Sequence, residues 1–223
     1  MSGIFSETAW LKVWTYRKTF LLGLANTVQT AIFGVLLAMV LGIIFGLFAT
    51  GGKKSLRIIA RIYVEFIQNT PVLLQICFLY YALAFSGHSI GIIPAGIISL
   101  GVYHGAYMVE VIRAGIESIP KGQYEAAQVL GLSRSQTFFR VILPQVVKRI
   151  LPPVTNEVIT LVKDTSLAYA IAVTEMFTLA KQIAAAETSM LPYLAAGIFY
   201  YVFNFVVAWS MEKAEKAFGY YQT

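Results

Sequence analysis

Charge is scarce in this chain. Of its 223 residues only 13% are Asp, Glu, Lys or Arg, well below the quarter or so usual in soluble domains. That argues against a soluble globular enzyme. There is one cysteine, Cys77, inside an apolar run, so no internal disulfide can form. The two histidines, His88 and His104, have no cysteine or carboxylate at metal-ligand spacing, so no metal site and no catalytic residue is expected. A nucleophile paired with a base is not evident, which leaves an intramembrane enzyme poorly supported. No G-x4-G-K-[ST] phosphate loop is present, so the chain is not expected to bind ATP itself or to carry any cofactor. No basic stretch precedes an apolar one in MSGIFSETAW, so no cleavable signal peptide is expected. Low-complexity segments and internal repeats are also missing.

What is present is apolar. Hydrophobic residues make up 58% of the chain. This composition predicts an all-α integral membrane protein with a single membrane domain. Residues 1–18 form a polar leader whose Phe5, Trp10, Leu11 and Trp14 fit one face of a surface helix, or else an unstructured tail. Thr19–Gly52 contains no charge, and Gly34, Ala38, Gly42 and Gly46 recur every four residues as a packing stripe. A second span is expected from about Pro71 to Phe85, and a third from about Ala95 to Ile116. Glu110 and Arg113 lie three residues apart on the third span, where a pair would offset the cost of a carboxylate in lipid. Pro152-Pro153 is expected to open a fourth span, VTNEVITLVKDTSLAYAIAV. Asn156, Glu157, Thr160, Lys163, Asp164, Thr165 and Ser166 make it the most polar of the spans. Such residues face a cavity or the bundle interior. Lys163 and Asp164 could equally serve to hold helices together, whereas Glu157 has no evident local cation. Met176–Met190 reads as an outer connector, and a fifth span follows from about Leu191 to Trp209.

One long polar interval, Ile119–Pro153, breaks this pattern. Tyr124–Leu130 predicts a short helix and Gly131 a left-handed cap. Ser133, with Gln136 three residues on, predicts a second helix opened by a capping box. Pro144 should end or kink it. The order Glu125-Ala126-Ala127, then Gly131, then Val141-Ile142-Leu143-Pro144 resembles the EAA loop, EAA-x3-G-x9-I-x-L-P, of permease subunits of bacterial ATP-binding-cassette importers. Val141 replaces the usual Ile. Glu65, Thr70 and Pro71 match a second family element, E-x-x-R-x-T-P, although Gln68 stands where the arginine would be. KDTSL resembles the polar amino-acid branch, the histidine, glutamine, arginine and glutamate permeases. About residues 20–212 carry the resemblance.

The resemblance implies a type I importer fold with about five transmembrane helices. It divides the chain into the leader 1–18, a permease domain 19–216 holding the coupling loop 118–150, and a tail 217–223. It implies that Glu125, Ala126, Ala127, Gly131, Leu132 and Ser133 dock on cytoplasmic ATPase subunits, two per transporter, which bind the ATP. It further implies a second permease subunit, identical or homologous, and an extracytoplasmic substrate-binding protein. Asn156, Glu157, Thr160, Asp164, Thr165 and Ser166 would line the path of a polar amino acid. Glu65, Thr70, Pro71, Glu110, Arg113 and Pro144 would be structural.

The net charge of +6 suggests nucleic acid only until its placement is counted. With the coupling loop inside, twelve Lys and Arg lie on the inner side, four on the outer and one within a span. This bias predicts five spans with the N-terminus out and the C-terminus in, and the resemblance implies a multi-pass protein of the bacterial plasma (inner) membrane. It leaves no call for nucleic acid. The rival reading is a channel or ion-coupled transporter working without ATP, supported only by Glu110, Glu157 and Asp164.

Overall fold

The computed structural model describes residues 7–217 of the chain, and every regular element among them is helical. Phe5 and all of the predicted tail after residue 217 lie outside the described residues. Twelve residues or fewer make up the helices α1 (Glu7–Thr15), α6 (Lys121–Val129), α7 (Arg134–Gln136) and α9 (Met176–Glu187). The longer ones are α2 (Arg17–Thr50), α3 (Lys54–Gln68), α4 (Val72–Phe85), α5 (Ile92–Glu117), α8 (Leu143–Asp164) and α10 (Leu191–Ala217). A π-helical segment, Thr137–Ile142, joins α7 to α8, and a 3-10 segment, Thr165–Ile171, follows α8.

Helices α2, α5 and α10 are each long and apolar enough to cross a membrane, while α3 and α4 qualify only as one bent pair. The 34 residues of α2 extend about 50 Å at 1.5 Å per residue, more than the roughly 30 Å of hydrocarbon. The second span expected at Pro71–Phe85 is corrected here. Alone, the 14 residues of α4 reach only about 21 Å, and α4 passes the test of length and composition only together with α3. The fourth span expected from Pro152-Pro153 through Val173 has other bounds: α8 starts earlier, at Leu143, and ends at Asp164, and Thr165–Ile171 follows as the 3-10 segment. Nor is α8 among the helices apolar enough to cross a membrane. It carries Lys148, Arg149, Glu157, Lys163 and Asp164.

The chain divides into two compact units. One holds the chain up to Leu36, Thr70–Gly101 and Ile159–Val207. Its core packs Ile76 of α4 with Ala95 and Leu100 of α5 and with Ala168 and Ile171 of the 3-10 segment. A second cluster joins Met176 and Ala180 of α9 to Ala196 of α10. Small residues allow close approach here as well. A Cβ on Gly34 would lie 3.3 Å from Leu161. The leader is helical in its described part, ending at Thr15, and Arg17 already belongs to α2. Lys12 pairs with Glu187 at 3.0 Å, and the Tyr16 hydroxyl donates to the same carboxylate at 2.7 Å. Lys12 therefore has a protein partner in Glu187. The outer connector is also a packed helix: Leu179, Ala180, Ile183 and Ala184 are buried.

The other unit holds Leu37–Asn69, Val102–Val158 and the chain from Ala208. Here the stripe of α2 meets α5. A Cβ on Gly42 would collide with Met108, and one on Gly46 would sit 2.8 Å from Ile112. In this unit one of the two alternatives for Pro144 is excluded and the expectation for Pro152-Pro153 is corrected. Pro144 does not end the helix; the backbone stays helical through the π segment, where the Leu143 N–H reaches the Phe138 carbonyl five residues back. That wider turn meets the proline, which can make no i→i−4 bond of its own. Pro152 and Pro153 lie inside α8, not at its start. Two rungs of the backbone ladder are missing there, and packing of buried Val146 and Val154 to either side holds the helix together.

Candidate functional site

The polar interval folds as a helical hairpin. Pro120, with φ near −57°, precedes the first turn of α6. The helix stops in a Schellman cap. Gly131, at φ +72°, donates to the Gln128 carbonyl, and the Leu132 N–H donates to the Ala127 carbonyl. The capping box then opens α7: the Gln136 N–H donates to Ser133 Oγ at 3.2 Å, and the Ser133 N–H donates to Gln136 Oε1 at 2.8 Å. Beneath the hairpin, Ile119, Ile142 and Val146 form a small core. Arg149 donates to the Ser118 carbonyl at 2.6 Å and ties α8 to the chain after α5. Ala127 is buried against this base, whereas Glu125, Ala126, Gly131 and Ser133 are exposed and Leu132 is half-buried. Two apolar side chains beside them are left bare: Val129 is 87% and Leu130 77% exposed. They sit among Glu125, Gln128 and Arg134, in a polar setting foreign to lipid.

The polar helix α8 places its residues unevenly. Asn156 is exposed, while Glu157, Thr160 and Asp164 are half-buried on successive turns. Thr165 is fully buried and its hydroxyl donates to the Val162 carbonyl at 2.7 Å. Ser166 donates to the Lys163 carbonyl at 2.7 Å. Both hydroxyls thus spend their donors on the local backbone. Glu157 has a partner that sequence spacing could not reveal, because His104 Nδ1 lies 3.2 Å from Glu157 Oε2 across 53 residues of chain.

The structure brings Glu65, Glu110 and Arg113 to one cavity of about 330 Å³, together with Arg57, Arg61 and Glu117. Arg113 pairs with Glu110 and, at 2.9 Å, with Glu117. Arg61 pairs with Glu65 at 2.7 Å. Gln68, at the family's arginine position, donates to the Ala106 carbonyl at 3.3 Å. Thr70 accepts from Gln75 Nε2 at 2.6 Å, and Pro71 precedes α4 in an extended conformation.

Sequence reasoning missed Glu175. It is fully buried, and it caps α9 by accepting from the Phe177 N–H at 2.7 Å and the Thr178 N–H at 2.6 Å. The Thr178 hydroxyl (2.7 Å) and the Tyr200 hydroxyl (2.9 Å) complete four donors. Burial pushes this carboxyl up, and the donors pull it down. Glu is not a favoured N-cap residue, so its type did not mark the position as a cap.

An all-helical chain with apolar spans, a polar helix and a polar hairpin projecting a small bare apolar surface describes the membrane component of a multi-subunit transporter. Residues 38–219 match the family model for the binding-protein-dependent transport system inner membrane component, and the chain belongs to that family. It is 35% identical over 188 residues to the L-cystine transport system permease protein TcyB of Bacillus subtilis, covering 83% of this chain and 80% of that one. It is 31% identical over 210 residues to the glutamine transport system permease protein GlnP of Escherichia coli, covering 93% and 96%. A crystal structure of an amino acid ABC transporter with histidines superposes with a TM-score of 0.86 at 29% identity, over 93% of this chain and 97% of that one. The methionine transporter MetNI, at 18% identity and a TM-score of 0.72, shares the fold.

Proposed function

We infer that this chain is the permease subunit of an ATP-driven importer of a polar amino acid. The hairpin carries the inference. Its EAA spacing is built on a rigid cap and a buried base, and it holds Val129 and Leu130 out as a docking surface for a cytoplasmic ATPase. The amino-acid permeases TcyB and GlnP, similar over most of this chain, support the substrate class. Two such chains, or this chain and a homologue, would enclose the path. Two ATPase subunits would bind the nucleotide inside, and a binding protein would deliver substrate outside. The positive-inside bias supports an N-terminus out and a C-terminus in. Closure of the ATPase pair on ATP would move the hairpins as rigid bodies and alternate access to the path.

An amino acid needs an acceptor for its ammonium group. Among the path residues, Glu157 is a half-buried carboxylate on α8 able to accept a charge-assisted hydrogen bond. Asn156, Thr160 and Asp164 share the polar stretch. The test is uptake into proteoliposomes holding the complex with its binding protein, over a panel of labelled polar amino acids, with and without ATP. ATP-dependent uptake is expected, and Glu157→Gln should lower it about tenfold or more while the complex assembles normally. Uptake indifferent to ATP would return the chain to the channel or ion-coupled reading.

A further inference from the structure

A groove of about 450 Å³ lies where α1, α2 and α10 meet, and all of it belongs to one compact unit. Each helix gives it one periodic stripe. Trp10, Val13 and Trp14 of α1 stand at i, i+3 and i+4. Arg17, Phe20, Leu21 and Leu24 of α2 stand at i, i+3, i+4 and i+7, and Ala195 and Phe199 of α10 at i and i+4. The floor is firm, because Phe20, Leu24 and Phe199 pack against the buried cluster of Met176, Ala180 and Ala196. The α1 wall is tied down by the bonds of Lys12 and Tyr16 to Glu187. Apart from Arg17, every lining residue is apolar. Among the described residues Arg17 gives one hydrogen bond, from Nη1 to the Trp14 carbonyl at 3.2 Å, and its guanidinium lies 5.6 Å from the Trp14 ring centre. A guanidinium carries five N–H donors, so most remain for a ligand. Lys18, next in the chain, is exposed as well.

We propose that this groove holds a phospholipid with an anionic headgroup. Helix α2 is apolar enough to cross a membrane, and Leu21 and Leu22 on its first turns are exposed, so a bilayer is the medium around this face. Leu24 lies seven residues, or about 10 Å, along the helix from Arg17. An acyl chain entering beneath Arg17 would follow the stripe from Phe20 to Leu24, against Ala195 and Phe199. Its phosphate would meet the guanidinium, a planar fork that binds phosphate through two parallel hydrogen bonds. Trp10 and Trp14 carry large apolar rings with one polar N–H each, which suits the boundary between headgroups and chains. Charge selects the headgroup. A phosphatidylcholine brings its own cation beside the phosphate, and Arg17 and Lys18 repel it. A phosphatidylglycerol carries the phosphate charge alone.

The experiment is native mass spectrometry of the purified permease–ATPase complex in detergent, titrated with dioleoyl phosphatidylglycerol and, separately, with dioleoyl phosphatidylcholine. Phosphatidylglycerol should bind the parent about tenfold more tightly, the worth of one charge-assisted hydrogen bond. Arg17→Gln, a change at an exposed side chain that leaves the fold alone, should remove most of that preference and leave phosphatidylcholine binding where it was. Ala195→Phe fills the groove and should weaken both lipids. Lys53→Gln removes an exposed charge beyond the opposite end of α2 and should change neither. Equal losses of phosphatidylglycerol in Arg17→Gln and Lys53→Gln would mean a diffuse attraction for acidic lipid and would overturn the proposal. Unchanged binding of both lipids in Ala195→Phe would overturn it too. If neither lipid bound the parent, the groove would belong to a neighbouring protein chain instead.

Discussion

At the residue scale, Glu175 caps α9 and ties it to Tyr200 of α10. Its carboxylate gathers two backbone N–H groups and the hydroxyls of Thr178 and Tyr200 in a fully buried setting. Glu175→Ala leaves all four donors without an acceptor, at about 1–3 kcal/mol for each buried group left unmade. We expect a loss of at least about 3 kcal/mol, read as a lower melting temperature of the purified complex. Glu175→Gln keeps one acceptor oxygen and should fall between. A Glu175→Ala variant that melts like the parent would show that water replaces the carboxylate freely. Neither Glu175 nor the His104–Glu157 pair was legible in the sequence. Glu175 is local to α9 but is not a residue type that marks an N-cap, whereas the pair unites two helices, and period and spacing report only what lies within a few residues. The Ser133–Gln136 box was legible for that reason, because both partners sit on one turn.

At the scale of elements, the apolar helices and the hairpin could be read from composition, from small residues every fourth position and from cap chemistry. The prolines could not. Local rules place Pro144 at a helix end or kink and Pro152-Pro153 at a helix start, yet the structure keeps helix through all three. Tertiary packing and a π turn outweigh the missing hydrogen bonds. Gly131 shows the opposite case, where local chemistry decides. At φ +72° a β-branched side chain is strained by about 1–2 kcal/mol, so Gly131→Val should distort the hairpin and reduce ATP-driven uptake without preventing membrane insertion. Helix α1 offers a pH test. Tyr16 and Lys12 hold the Glu187 carboxyl below its ordinary value of 4.5. A depressed carboxylate stabilises the folded contact above its ordinary value, and that contribution is lost as pH falls through the lowered one. We expect α1 to loosen from α9 on acidification below about 4.5, followed by the emission of Trp10 and Trp14. Glu187→Gln should look loosened already at neutral pH and show no such titration. A titration retained in Glu187→Gln would assign it to another group.

For the whole molecule, the question is which exposed apolar surface meets lipid and which meets protein. Leu21, Ile32, Phe33, Leu36 and Val40 are exposed along α2, a helix apolar enough to cross a membrane, and a bilayer accounts for them. Val129 and Leu130 are more exposed than any of these, yet they occupy a nine-residue helix and its cap in a polar segment too short to enter hydrocarbon. Neither lipid nor this chain's own core covers them. A protein partner is the cover that the proposed function assigns to them. The double variant Val129→Asp, Leu130→Asp tests this without touching the fold, since neither side chain is packed. It should insert and melt like the parent, but retain ATPase subunits at least about thirtyfold less tightly, the cost of losing a central apolar contact of some 2 kcal/mol. Transport would fall with it. If the variant still carried its ATPase subunits through purification at parental yield, the docking surface would have to lie elsewhere on the hairpin, with exposed Phe139 and Tyr124 next to be charged.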